Sequence, residues 1–326
     1  MPAFRRYSLL VLVLLLAGGK MPQAQSLGRD VSCTYVAQIQ QLPRDARVVQ
    51  VWIPLATSGQ EQSIFRRDVH APAPFTITQD PSYGNDILHV TLRSPIPDHL
   101  EIAVDYGARL LGGNSAQADP PPVLDALQRY LQPSGLIIID DEVRARSREA
   151  TAGRLTPADQ ARGIYDYVRR FMSYDKTTPG WGRGDTRRAC FVGKGNCTDF
   201  HSLFISMARA AHIPARFKIG FVIPQESTGI IPGYHCWAEF YDEGRGWVPV
   251  DASEAWKHPD RADYYFGAYD PNRFLVSTGR DIQLVPRQDG DPVNIFFSPY
   301  VEVDGQPFSQ VKVEVRLTNL QDRRKT

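Results

Sequence analysis

Short apolar runs separated by turn residues fill the first hundred or so positions. Val48-Val49-Gln50-Val51-Trp52-Ile53 stops at Pro54, Ile87-Leu88-His89-Val90-Thr91-Leu92 follows Pro81-Ser82-Tyr83-Gly84-Asn85-Asp86, and Ile102-Ala103-Val104-Asp105-Tyr106 comes next. Runs rich in β-branched and aromatic residues, bounded by Pro, Gly, Asn and Asp, predict a small antiparallel sandwich. Gly112-Gly113-Asn114-Ser115 through Pro120-Pro121-Pro122 reads as a linker. The period then becomes helical. Val123, Leu124, Leu127 and Leu131 fit one face, and Thr156-Pro157 opens a helix in which Ile164, Val168 and Phe171 recur, with Tyr167 alongside. From about Phe217 the strand pattern returns and holds to the end, with Tyr300-Val301-Glu302-Val303 and Val311-Lys312-Val313-Glu314-Val315 flanking Asp304-Gly305. No internal repeat or low-complexity tract interrupts it.

The first segment stands outside this pattern. Arg5-Arg6 precede the unbroken run Leu9-Leu10-Val11-Leu12-Val13-Leu14-Leu15-Leu16-Ala17, and small and polar residues follow. A basic start, a short apolar stretch and a small-residue exit predict a secretory signal peptide over residues 1–25, cleaved between Gly18 and Ser26. A spanning helix needs about 20 apolar residues, so no stable membrane anchor is expected after cleavage. No cysteine follows the run closely, which speaks against lipid attachment. The expected location is periplasmic or secreted, an oxidising compartment.

Composition narrows the class without naming a chemistry. The chain has 326 residues, enough for two domains and a real core. With 37 Lys+Arg against 36 Asp+Glu, the charge balance excludes a nucleic-acid partner. A hydrophobic share of 42% and a charged share of 22% describe a folded protein, not a disordered one. Four cysteines are too few for a disulfide scaffold.

The chemistry concentrates between Trp181 and Trp256. Asn196 is a good N-cap for a helix opening at Cys197, with Phe200, Leu203, Phe204, Met207 and Ala211 as a buried stripe and Pro214 closing the segment. Free N–H groups and the positive end of the helix dipole favour a thiolate there, although a cysteine in such a place is more often a small buried hydrophobe. Tyr234-His235-Cys236-Trp237-Ala238-Glu239-Phe240-Tyr241 alternates like a strand, with His235 and Trp237 on one face and Cys236 on the other. Taking Asp242-Glu243-Gly244 as a hairpin loop and Gly246-Trp247-Val248-Pro249-Val250-Asp251 as the return strand sets Asp251 opposite His235, give or take one residue. One ring nitrogen of His235 then meets Asp251 and the other faces Cys197, the arrangement of a nucleophile–base–orienter triad. His201 lies one turn after Cys197 but has only Asp199 nearby in sequence, so it ranks below His235; the remaining histidines are read as structural or surface residues.

Gly195-Asn196-Cys197-Thr198-Asp199-Phe200-His201-Ser202-Leu203-Phe204, with Ala208-Arg209 and Ile213-Pro214-Ala215-Arg216, resembles the nucleophile helix of the transglutaminase-like superfamily. Tyr234-His235-Cys236-Trp237-Ala238-Glu239 resembles its histidine strand and Gly246-Trp247-Val248-Pro249-Val250-Asp251 its aspartate strand, in the family's order. The resemblance implies an α+β fold with a papain-like, transglutaminase-like core, in which the nucleophile helix packs on an antiparallel sheet. The resulting division is a β-sandwich-like domain over 26–112, a linker over 113–122, a catalytic core over 123–285 and a C-terminal β extension of that core over 286–326.

The implied activity is that of an exported thiol amidohydrolase or peptidase acting on a peptide or protein amide. Cys197 attacks the amide, His235 handles the proton and Asp251 holds the imidazole. An oxyanion donor is needed, with the Cys197 N–H as one and Trp181 as the residue resembling the family's upstream tryptophan, at a spacing that does not match. The alternatives are a protein cross-linker that uses an amine as acceptor, and a non-catalytic binding module; the residues do not separate hydrolysis from cross-linking. No EF-hand spacing is present and no cofactor or metal is expected. Zinc held by Cys190, Cys197, His235 and Cys236 lacks the usual C-x-x-C spacing. Arg183, Arg187 and Arg188 hint at acidic groups on a substrate, against a simpler reading as a solvated loop. With Cys197 kept free and Cys236 read as buried core, Cys33–Cys190 is the one disulfide pairing left. Nothing in the chain sets an oligomeric state.

Overall fold

The computed structural model describes residues 28–114, 127–224 and 228–318. The expected signal segment and most of the expected linker, with Val123 and Leu124, lie outside the described residues. Six strands open the chain: β1 (Arg29–Ile39), β2 (Val48–Leu55), β3 (Gln62–His70), β4 (Phe75–Gln79), β5 (Asp86–Arg93) and β6 (Leu100–Leu110). The three runs expected as strands fall inside β2, β5 and β6. β2 does not stop at Pro54, which stays in register opposite Ile87. Leu131 ends a single 3-10 turn, Arg129–Leu131.

Helices follow. Asp140 caps α1 (Asp141–Thr151) by accepting the Val143 N–H, a start that apolar periodicity alone did not reveal. The expected helix at Pro157 is α2 (Pro157–Phe171), capped by Thr156. α3 (Thr186–Val192) ends at Gly193 in the left-handed conformation, and α4 (Cys197–Ala210) carries the candidate nucleophile. Then come β7 (Ala215–Val222), β8 (Gly229–Ile231), β9 (His235–Asp242), β10 (Gly246–Val250), helix α5 (Ala252–Lys257), β11 (Arg273–Thr278), β12 (Tyr300–Val303) and β13 (Val311–Thr318).

Two five-stranded sheets form the sandwich, one ordered β8-β13-β1-β6-β3 and the other β12-β2-β5-β4 with the two residues Gln306–Pro307 outside β12. The antiparallel sheet β10-β9-β7-β11 forms the core and packs against α4. The fold is therefore α+β, an all-β sandwich joined to a helix-on-sheet core, as the sequence led us to expect.

One expectation needs correction. The C-terminal strands do not extend the catalytic core. β13 pairs with β1 from Ser32↔Thr318 to Ile39↔Val311, and β12 pairs with β2 from Tyr300↔Trp52 to Val303↔Val49. The physical reason lies in β1 and β2, whose side chains are almost all buried. Left unpaired, each would present a buried backbone edge with no hydrogen-bond partners, and the chain's end supplies one strand to each sheet.

Side-chain amides join the sandwich to the core. Gln62 Nε2 donates to the Leu275 carbonyl (2.9 Å) while Gln62 Oε1 accepts the Leu275 N–H (2.8 Å). Asn85 does the same for Thr278, at 2.8 and 2.7 Å. These two residues serve as partners for β11, the edge of the core sheet. A buried ion pair, Lys218 Nζ to Glu61 at 2.7 Å, crosses the same boundary. The register between β7 and β11 shifts at Ile219/Gly220, where the backbones approach so closely that a Cβ on Gly220 would sit 1.8 Å from the Phe274 carbonyl oxygen.

Overpacking of that kind costs about 1–3 kcal/mol where side chains can yield, and more where the obstacle is backbone. Gly220→Ala is expected to lower the unfolding midpoint in urea by the equivalent of at least about 3 kcal/mol. A variant with an unchanged midpoint would show that the two strands can separate at this point.

Candidate active site

The nucleophile's position is set by a local cap. Asn196 accepts the Thr198 N–H on its side chain (2.9 Å), and Asp199 Oδ2 accepts the Asn196 N–H (3.0 Å), completing a reciprocal capping box. The Asp199 and Phe200 N–H groups donate to the Asn196 carbonyl. Cys197 is the first helical residue, where the dipole favours negative charge. The helix is more deeply buried than a single apolar stripe implies: every residue from Cys197 to Arg209 is buried, because α1, α2, α3 and the core sheet surround it.

His235 and Asp251 meet, but not across the ladder. The observed pairs run Ala238↔Val250, Tyr241↔Trp247 and Asp242↔Gly246, so the hairpin centres one residue later than Glu243. Gly246, rather than Gly244, takes the left-handed turn conformation. The ladder ends at Val250, and Asp251 turns away to become the N-cap of α5, accepting the Glu254 N–H at 2.9 Å. That turn carries its carboxylate to His235, with Nε2–Oδ2 at 2.6 Å. The remaining ring nitrogen, Nδ1, is left for the Cys197 thiol, whose ionisation both His235 and Cys236 favour.

Three residues that the sequence did not mark as partners also surround Asp251. Arg273 Nη2 donates to Oδ2 at 2.6 Å, the same oxygen that meets His235. Ser253 Oγ donates to Oδ1 at 2.9 Å. His201 Nε2 lies 3.4 Å from Oδ1 and accepts the Ala252 N–H at 3.2 Å. His201 thus reaches the triad's carboxylate through the fold, although it lacks a partner in sequence. Arg273 lies 22 residues beyond Asp251, in a strand with no motif to mark it.

The electrostatics follow from these contacts. Burial opposes ionisation of Asp251, but the Arg273 and His235 charges, with the hydrogen bond from His235, hold it well below the usual carboxylate range. Burial likewise opposes the His235 imidazolium, and Asp251 together with the Cys197 thiolate raises it to about 9. Cys197 is lowered well below an ordinary thiol, by Cys236 first and then, against the cost of burial, by His235. Both shifts act in the direction of a thiolate–imidazolium pair.

The other expected residues are placed as follows. Trp181 is partly exposed on a loop held over the start of α4, where Asp199 accepts the Gly182 and Gly184 N–H groups. Its indole makes no hydrogen bond among the described residues. Arg188 donates to the carbonyls of Thr178, Pro179 and Lys194, so it ties this loop down rather than awaiting an acidic substrate. Arg187 lies 3.6 Å from Asp140. Cys33 and Cys190 are both buried and free, and the expected bridge between them is absent: Cys33 packs in the sandwich core and Cys190 in α3. Cys236 is buried as expected, yet it faces the site instead of purely apolar neighbours. Among the described residues no group of three or more His, Cys, Asp and Glu side chains is arranged to hold a metal ion.

Residues 144–252 match the family model of the transglutaminase-like superfamily. An uncharacterized protein of Haemophilus influenzae is 27% identical over 303 residues, taking in 79% of this chain and 82% of that one. The crystal structure of a candidate cysteine protease from Cytophaga hutchinsonii superposes with a TM-score of 0.60 at 14% identity, covering 90% of this chain and 93% of that one. The periplasmic domain of TgpA from Pseudomonas aeruginosa has a TM-score of 0.36 at 17% identity, covering 70% of this chain and 90% of that domain. The matched segment, residues 144–252, is thus similar to the transglutaminase-like core, and it contains Cys197, His235 and Asp251.

Two outcomes follow from the charge arrangement. His235 sits above its unfolded value of about 6.5, so its contribution to stability is fully present below that pH and is lost as pH rises through about 9. The lowered Cys197 thiol gains stability over the same window, so the two contributions offset between about 6.5 and 8.5, and Cys197→Ala is expected to uncover a fall in unfolding free energy with rising pH. Arg273→Met leaves a buried carboxylate short of a cation and is expected to cost about 3 kcal/mol or more in urea unfolding. An unchanged midpoint would mean that Asp251 keeps its charge without Arg273.

Proposed function

We propose that this protein is an exported cysteine enzyme that cleaves amide bonds of a peptide or protein through an acyl-enzyme on Cys197. One observation carries the reading: Cys197, His235 and Asp251 form a continuous buried chain of contacts at a helix N-terminus, charged in the sense that nucleophilic attack requires. The Cys197 thiolate attacks the amide carbonyl carbon, forming the C–S bond and an oxyanion. The capping box uses the next three N–H groups of the helix and leaves that of Cys197 facing the oxyanion. Trp181 is the second donor we assign, because its loop is fastened beside the same helix end.

His235 then gives its proton to the leaving nitrogen as the C–N bond breaks, leaving a thioester and a neutral imidazole. Water enters, His235 takes its proton, and the hydroxide displaces the thiolate to release a carboxylic acid. Asp251 keeps its charge throughout and fixes which ring nitrogen works. An amine in place of water would complete a cross-link by the same steps. The nucleophile is only 2% exposed, with Tyr174 close by and stacked on Trp256 at 6.4 Å. Such an opening suits a slender acyl group, such as an extended chain or an amide side chain. Export rests on the N-terminal segment alone. Among the described residues no helix is long and apolar enough to cross a membrane.

Amide cleavage with a mixed casein-peptide substrate, measured alongside incorporation of a labelled primary amine, tests the reading. Cleavage without amine incorporation is expected, and Cys197→Ala or His235→Ala should each reduce it by at least about 10³-fold. Efficient amine incorporation would reassign the protein as a cross-linker. Retention of full cleavage by Cys197→Ala would remove the proposed nucleophile.

A further inference from the structure

Cys236 occupies a place that packing does not explain. It is fully buried, but its sulfur lies 3.5 Å from the hydroxyl of Thr198, the residue next to Cys197, and 3.9 Å from His201 Nδ1, and it acts on the ionisation of the Cys197 thiol. Because His201 Nε2 accepts the Ala252 N–H, the ring proton lies on Nδ1 and points toward the Cys236 sulfur. A cysteine kept only for volume would sit among apolar groups. This one donates to the Thr198 hydroxyl and sits beside an imidazole and the candidate nucleophile, at the meeting of the first turn of α4 with the second residue of β9.

We propose that Cys236 is a resolving cysteine, which captures oxidised Cys197 in a reversible Cys197–Cys236 disulfide. The proposal rests on Cys197 being the reactive thiolate. The oxidant is a small hydroperoxide, hydrogen peroxide being the simplest. The Cys197 thiolate attacks one peroxide oxygen, the O–O bond breaks, and hydroxide leaves, giving the sulfenic acid. The Cys236 sulfur then attacks the Cys197 sulfur. The S–O bond breaks, the S–S bond forms, and water departs with the Cys236 proton. The two sulfurs together lose two electrons and the peroxide gains them.

The division of labour follows from the two environments. Burial, and then the neighbouring Cys197 charge, push the Cys236 thiol up, so it stays protonated and peroxide meets a thiolate only at Cys197. Once Cys197 is the sulfenic acid, that repelling charge is gone and the adjacent sulfur becomes a competent attacking group. The disulfide is the closed state of the enzyme. It blocks the nucleophile, shields it from irreversible oxidation to the sulfinic acid, and returns it on reduction by a dithiol. In an oxidising compartment this makes activity conditional on a thiol reductant.

The test uses the mature protein, reduced, freed of reductant and treated with equimolar hydrogen peroxide. Intact mass should fall by about 2 Da, peptide mapping should recover a Cys197–Cys236 linked pair, and dithiothreitol should restore iodoacetamide labelling of Cys197 almost completely. In Cys236→Ser, and in Cys236→Ala as a second variant, peroxide should instead add one or two oxygens to Cys197, with labelling after dithiothreitol at least about threefold below wild type. The wild-type peptide map decides the matter even where a variant fails to fold. A rapidly labelled Cys197 that oxidises to the sulfinic acid with no linked peptide overturns the proposal and leaves the nucleophile assignment standing. A Cys197 labelled no faster than Cys33 or Cys190 in the reduced protein overturns both.

Discussion

The fully buried carboxylate of Asp251 is the constraint around which the site is built. An isolated carboxylate in that position would take up a proton or destabilise the fold, since desolvating a charge costs several kcal/mol. It stays ionised because both oxygens are saturated: Oδ2 by His235 and Arg273, Oδ1 by Ser253 and the Glu254 N–H. These partners come from β9, β11 and α5, so the charge is maintained only when the three elements are assembled. Charge on Asp251 raises His235, and His235 lowers Cys197. The ionisation of the sulfur is thus linked to an arginine bound to the same carboxylate oxygen as His235.

That dependence gives the sandwich a part in the chemistry. Arg273 opens β11, whose outer edge is completed by the amides of Gln62 and Asn85 from the first domain. The first domain is in turn completed by β12 and β13 from the end of the chain. The chain leaves the sandwich, builds the core and returns to finish the sandwich. A core without its neighbour would expose the β11 edge and loosen the strand that carries the counter-charge.

What the sequence revealed follows a physical division. Cys197 was legible because a cap is local: Asn196 before the helix and Asp199 within its first turn act within four residues. His235 was legible from alternation, and Asp251 from its place at the end of the return strand. The ladder register differs from the expected one by two residues, and the pairing survives because Asp251 leaves the strand to cap α5. Arg273, His201 and Cys236 were not legible as parts of the site. Each joins it through contacts between elements far apart in the chain, which neither periodicity nor spacing encodes. The C-terminal strands illustrate the same limit. Their β character is local, while the choice of sheet depends on which buried edges need partners.

The wall beside the nucleophile is fixed by two buried charges of opposite sign. Asp199 accepts the N–H groups of Gly182 and Gly184, while Arg280 donates to the carbonyls of Arg183 and Gly184 and to Ser202 Oγ. Burial raises the Asp199 carboxyl and lowers the Arg280 guanidinium, so each works against its own desolvation to grip the loop backbone. Expenditure of that kind on backbone atoms organises a surface in advance of binding. The loop carrying Trp181 is accordingly part of the scaffold, held in place at the start of α4 by buried side chains from two separate elements.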